Sequence, residues 1–184
     1  LVFNGAIYNY IELRQELQSL GHSFRSTGDT EVLLHAYQQW GSDCLQRLNG
    51  MWAFLIYDRR VRRVFGSRDR FGIKPFFYHR TNCYALFASE IKALRASGLY
   101  QGGVNWEVAS KFLLQGTLTD NEERFFTDIH QLPPSTAFEL DTDGHWKEWR
   151  YWSLNAIPSV ACADPVQAFG ELFEDSVRLR MRSD

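Results

Sequence analysis

The chain has 184 residues, 45% of them hydrophobic and 15% aromatic, enough for one ordinary core and part of a second. Large aromatic side chains spread over the whole length exclude a disordered chain. The 20 basic and 22 acidic residues are well mixed and leave a net charge of −2, so no single-sign field attracts phosphate backbones or anionic lipid; nucleic acid and membrane surfaces are poor partners.

No apolar stretch reaches the length of a bilayer span, and no signal-peptide pattern opens the chain at Leu1. Cys44, Cys83 and Cys162 are odd in number and far apart, without CxxC or Cys/His spacing, which reads as reduced structural thiols in a cytoplasmic protein. The five histidines are scattered, and none pairs in sequence with a cysteine or carboxylate in the manner of a ligand set, so no metal site is expected.

Leu1 to Phe3 reads as the end of a buried strand running into Asn4-Gly5, where the glycine lets the backbone turn and present its N–H groups. Tyr10, Leu13, Leu17 and Leu20 fall at helical spacing, with Gly21 as the stop. Asp29 or Thr30 caps a second helix whose inner face is Leu33, Ala36, Tyr37 and Trp40. The apolar run 51–57 suits a strand covered on both faces. The run 64–67 returns antiparallel to it after the basic stretch 58–63, a solvated hairpin tip.

Residues 76–78 and 84–88 form another strand pair, Ser89-Glu90 opens a short helix, and Asn105 caps one that carries Val108, Phe112 and Leu113. A hairpin follows over 135–140 and 146–151. Residues 153–163 have no period and read as a linker. Beyond it, Asp164 and Pro165 start a long helix with Val166, Phe169, Leu172, Phe173, Val177 and Leu179 on one stripe. Arg178, Arg180 and Arg182 stand near its negative end. A lone helix cannot bury its own stripe, which assigns it to a further domain. Strand runs without βαβ alternation indicate an α+β fold of antiparallel sheets.

Phe3-Asn4-Gly5-Ala6-Ile7-Tyr8-Asn9-Tyr10, Gly28-Asp29-Thr30-Glu31-Val32 and Gly50-Met51-Trp52-Ala53-Phe54 stand in an order and spacing that carry a resemblance. Arg68-Asp69-Arg70-Phe71-Gly72-Ile73-Lys74-Pro75, Phe87-Ala88-Ser89-Glu90-Ile91-Lys92, Leu132-Pro133-Pro134 and Tyr151-Trp152 continue it. Over almost its whole length the chain resembles the class II glutamine amidotransferase domain of the asparagine synthetase family. The resemblance implies an N-terminal-nucleophile-hydrolase αββα sandwich over 1–152, incomplete at its N-terminus. It also implies a linker over 153–163 and, over 164–184, the first helix of an α/β ATP-pyrophosphatase synthetase domain.

The chemistry implied is attack on the side-chain amide of glutamine by a cysteine that lies upstream of Leu1, with its own α-amino group as base. Asn4 and Gly5 match the family's oxyanion hole, and Asp29 matches the carboxylate that binds the glutamine α-amino group. Taken alone, Asn4-Gly5 reads as a tight turn and Asp29 as an N-cap; the later blocks favour the catalytic reading. Ala6 departs from the pattern, which has Glu there as a second contact to the substrate ammonium. The lost charge-assisted bond costs on the order of 1.5–3 kcal/mol, equivalent to roughly tenfold to a hundredfold weaker glutamine binding. Cys44 is given a packing role.

Residues 179–184 resemble the stretch before the synthetase pyrophosphate loop, so ATP and Mg²⁺ sites are expected outside this chain. The leading expectation is a glutamine-dependent asparagine synthetase that amidates aspartate, with this piece inactive alone. The alternatives are an ATP-dependent amide-forming cyclase of the β-lactam synthetase or lasso-peptide cyclase type, and a non-catalytic glutamine-binding module. Family members are often dimers, which makes a homodimer an expectation.

Overall fold

A computed structural model describes residues 1–116, 124–159 and 163–182. In chain order the elements are β1 (Val2–Ile7), α1 (Tyr10–Ser19), α2 (Asp29–Trp40), α3 (Cys44–Arg47), β2 (Gly50–Asp58), β3 (Arg63–Arg68), β4 (Phe77–Arg80), β5 (Ala85–Ala88), α4 (Ile91–Ala96), α5 (Trp106–Gln115), β6 (His130–Gln131), β7 (Thr136–Asp141), β8 (Trp146–Arg150) and α6 (Pro165–Arg180). A five-stranded sheet runs β1-β2-β3-β7-β8 and a three-stranded sheet β5-β4-β6. The α+β expectation is met. No helix among the described residues is long and apolar enough to cross a membrane.

The chain divides into two compact units, one of Leu1–Asn4 and Met51–Arg150, the other of Gly5–Gly50 and Tyr151–Asp184. In the first, the alternation of β2, β3 and β7 brings Phe138 inward, where it stacks on Trp146 with ring centroids 3.9 Å apart and on Phe87 at 5.5 Å. With Phe76 and Leu132 these rings form a core shared by both sheets. Gly66 is the cross-strand partner of Phe138, and a Cβ there would lie 2.3 Å from the Phe138 ring. The bare backbone makes room for the ring.

The Arg68 to Pro75 block is a loop tied from within. The buried Asp69 carboxylate accepts the N–H groups of Trp52, Phe71, Ile73 and Lys74 at 3.3, 3.1, 3.0 and 2.9 Å. The Arg68 guanidinium donates to the carbonyls of Gly72, Lys74 and Leu132, each at 2.7 Å. Buried charges persist where hydrogen bonds of this kind surround them.

In the second unit, Leu13 and Leu17 of α1 and Leu33 and Ala36 of α2 are buried as their spacing implies, Val32 joins them, Tyr37 and Trp40 are half-buried, and Leu20 is exposed. The Asn9 amide clasps the far end of the unit, donating to the Arg47 carbonyl and accepting from the Asn49 N–H, both at 2.9 Å. Cys44 is fully buried, and burial, helped by the charge of Asp43, pushes its thiol up to about 12. It packs, as expected. Asp164 accepts from the N–H groups of Val166 and Gln167, and the α6 stripe from Val166 to Val177 is exposed.

Three readings are corrected and one element is added. The strand at the start of the chain runs on to Ile7, so Asn4-Gly5 is extended backbone rather than a turn, and Leu1 and Val2 are exposed. The N-cap of α2 is Gly28, since the Asp29 side chain bonds elsewhere. The two-residue strand β6 was too short to show a period. At the last hairpin turn a histidine does meet carboxylates, as Asp141, Asp143 and His145 come within 4.8 Å of one another. There Asp141 closes the turn, accepting the N–H groups of Asp143 and His145 and the His145 ring, which raises the imidazole's proton affinity. Cys162 lies outside the described residues.

Candidate functional site

Asn4 and Gly5 are consecutive residues of β1, so their side chains and N–H groups leave the strand on alternating sides. The Asn4 amide donates one N–H to the Ser89 hydroxyl at 3.2 Å. A primary amide has two N–H donors, and the second is not engaged by any described residue. Donors of this kind, held in place, are what a developing oxyanion requires.

Gly5, Ala6 and Ile7 then line a cavity of about 260 Å³ together with Tyr8, Tyr10, Asp29 and Arg182. Asp29 is the first residue of α2, where the helix N-terminus favours a negative charge. Its Oδ2 accepts the Ile7 N–H at 2.9 Å and its Oδ1 the Thr30 hydroxyl at 3.3 Å. These two bonds aim the carboxylate and leave acceptor positions over. The turn leading into α2 is itself fixed by Glu31, which accepts the Ser26 hydroxyl and the N–H groups of Arg25 and Ser26; together they lower its carboxyl to about 2.

Ala6 puts a methyl group on the cavity wall, and Asp29 is the one carboxylate among the residues that line it. Gly50 is needed behind it, because a Cβ at 50 would fall 2.2 Å from the Ala6 carbonyl oxygen. That close approach of backbones explains the glycine opening the Gly50-Met51-Trp52 block.

Arg182 is a wall residue of this cavity that the sequence marks as a helix-dipole partner and as part of the 179–184 stretch, with no sign of a place beside Asp29. Its guanidinium grips the Glu12 carboxylate with two bonds of 2.7 Å and donates to the Tyr8 carbonyl at 3.0 Å, while Arg180 lies over the Tyr8 ring. Each partner stabilises the other's charge, lowering the Glu12 carboxyl and raising the Arg182 guanidinium. Neither Cys44 nor Cys83 lines this cavity.

A family model of the glutamine amidotransferase domain matches residues 1–152. Among curated proteins, asparagine synthetase [glutamine-hydrolyzing] 3 of Bacillus subtilis is 37% identical over 185 residues, covering all of this chain and 30% of that protein. Asparagine synthetase [glutamine-hydrolyzing] 1 of the same organism is 33% identical over 189 residues, again covering all of this chain and 29% of the relative. The chain thus spans under a third of the length of these relatives. Among solved structures, the glutamine phosphoribosylpyrophosphate amidotransferase of Bacillus subtilis, complexed with ADP and GMP, superposes with a TM-score of 0.60. That match covers 84% of this chain and 29% of the other. At 23% identity the likeness is one of fold, the N-terminal-nucleophile amidotransferase fold. Motif blocks, fold and relatives agree, and the chain belongs to the glutamine amidotransferase domain family of the asparagine synthetases.

Proposed function

We propose that this chain is the ammonia-producing part of a glutamine-dependent asparagine synthetase, in which glutamine is hydrolysed and the ammonia is passed to ATP-activated aspartate. One observation carries the reading: Gly5, Ala6 and Asp29, drawn from two separate motif blocks, line a single cavity large enough for an amino acid. In it Asp29 receives the substrate's α-ammonium. The Gly5 N–H and the Asn4 amide stabilise the oxyanion formed when an upstream cysteine attacks the carboxamide carbon. The tetrahedral intermediate then expels ammonia, and water releases glutamate from the acyl-enzyme.

Residues 164–184 open the ATP-binding domain in this reading, and the exposed stripe of α6 supports it. ATP and Mg²⁺ would be held by residues outside this chain. The start of α6 does not suit a phosphate, because the Asp164 carboxylate already occupies its N-terminal N–H groups. The protein acts in the cytoplasm, and a homodimer is in keeping with the family. The methyl of Ala6 where the family has a carboxylate favours a second reading, an amide-forming cyclase that closes a ring with an internal amine.

The deciding experiment follows conversion of aspartate to asparagine by the full-length protein with glutamine and, in parallel, with ammonia as nitrogen donor. Product from both donors is the expected result. Product from ammonia alone would mean a synthetase with a disabled glutaminase, and product from neither favours the cyclase reading.

Asp29→Asn separates the two jobs of this residue. The amide oxygen can still accept the Ile7 N–H, but the charge facing the substrate ammonium is gone. The KM for glutamine is expected to rise by about tenfold to a hundredfold. Steady-state kinetics measure it, and the unfolding midpoint should stay nearly unchanged.

A further inference from the structure

We propose that Ser89 is the residue that positions the Asn4 amide for oxyanion stabilisation; the inference rests on the role given to Asn4 above. Stabilisation of this kind works only when the donor is already fixed before charge develops, since reorienting it during the reaction would consume the gain. An asparagine side chain turns about two torsions, and the second of these has a broad, shallow preference. Something must hold it.

The holder is 85 residues away in sequence and in the same compact unit, with Asn4 Nδ2 donating to Ser89 Oγ at 3.2 Å. Ser89 is well placed for this. It directly follows β5, whose last residue Ala88 pairs with Phe77 of β4, and it directly precedes Glu90, the N-cap of α4. Its backbone is fixed on both sides. Because the amide group is planar, committing one N–H to Ser89 also sets the direction of the other.

The Phe87-Ala88-Ser89-Glu90 block, which the sequence marks without a reason, thereby acquires one. Ser89 touches no substrate atom in this scheme and acts through Asn4. A threonine keeps the hydroxyl, whereas an alanine removes the only contact by which residue 89 can hold the amide.

The test uses the full-length protein with Ser89→Ala, Ser89→Thr, Asn4→Ala and the double variant Asn4→Ala/Ser89→Ala. Ser89→Ala is expected to lower kcat for glutamine hydrolysis by about two- to tenfold. KM for glutamine, asparagine formation from ammonia and Tm should be unaffected, and Ser89→Thr should recover most of the loss. In the Asn4→Ala background, removing Ser89 should have no further effect. Full kcat in Ser89→Ala beside an impaired Asn4→Ala overturns the positioning role alone, as does an additive double variant or a loss matched in Tm and in the ammonia reaction. If Asn4→Ala hydrolyses glutamine as well as the parent, the role of Asn4 fails and this inference with it, while the proposed function stands; if the parent does not hydrolyse glutamine, the proposed function fails as well.

Discussion

Replacement of Asn4 by alanine should cut the turnover of glutamine by the full-length protein by about 10²–10³-fold, the usual cost of losing one oxyanion donor. The donor helps the transition state far more than bound glutamine, so the loss belongs in kcat rather than KM. Asn4 is half-buried, and its side chain bonds only to the Ser89 hydroxyl among the described residues, so its truncation leaves no buried charge behind. Stability should therefore change little. Asparagine formation from ammonia bypasses the step and should be retained, which separates a specific loss from general damage. Parallel kinetics with the two nitrogen donors give the result directly, and an Asn4→Ala protein with undiminished glutamine turnover would remove Asn4 from the mechanism.

The largest effect on stability is expected at Asp69. Its carboxylate is completely buried and collects four backbone N–H groups, from Trp52, Phe71, Ile73 and Lys74. Alanine would leave these donors without their acceptor and the Arg68 guanidinium without its neighbouring charge. An unsatisfied buried donor costs about 1–3 kcal/mol, and partial relaxation of the loop keeps the total near 3–5 kcal/mol. Against the stability of ordinary domains, about 5–15 kcal/mol, this is a large fraction. Denaturant unfolding followed by tryptophan fluorescence should show the midpoint falling sharply. Asp69→Asn keeps one carbonyl acceptor and should fall between alanine and the parent. A wild-type midpoint in Asp69→Ala would mean that the loop is held by Arg68 alone.

The sequence disclosed what local forces write into it. Leu13 and Leu17, or Leu33 and Ala36, recur at helical spacing because each helix must bury one stripe. The basic tip over 58–63 and the turn at Asp141 break strands where they had to break. What stayed hidden depends on partners far along the chain. Asp29 looks like a cap because caps are carboxylates before helices, yet its oxygen goes to Ile7 on another segment. Asn4-Gly5 looks like a turn because that dipeptide often makes one, yet it belongs to a strand that runs on to Ile7, and the missing side chain of Gly50 admits the Ala6 carbonyl. The bond from Arg182 to Glu12 crosses 170 residues, and no periodicity foretells it. The motif blocks pointed to Gly5, Ala6 and Asp29; their common cavity required the fold.

Gly66 has a consequence for how such a chain can change over time. Any side chain there would collide with Phe138 across the strand pair and with the Leu55 side chain, 2.9 Å from the same Cβ position. A mutation at 66 alone is therefore penalised while the large ring stands opposite, and shrinking the ring alone leaves a hole in the aromatic stack with Phe87 and Trp146. Each single step passes through a less stable protein, whereas the paired exchange need not. The two positions are bound to drift together or hardly at all, and the residue with no side chain becomes one of the slowest-changing in the sheet.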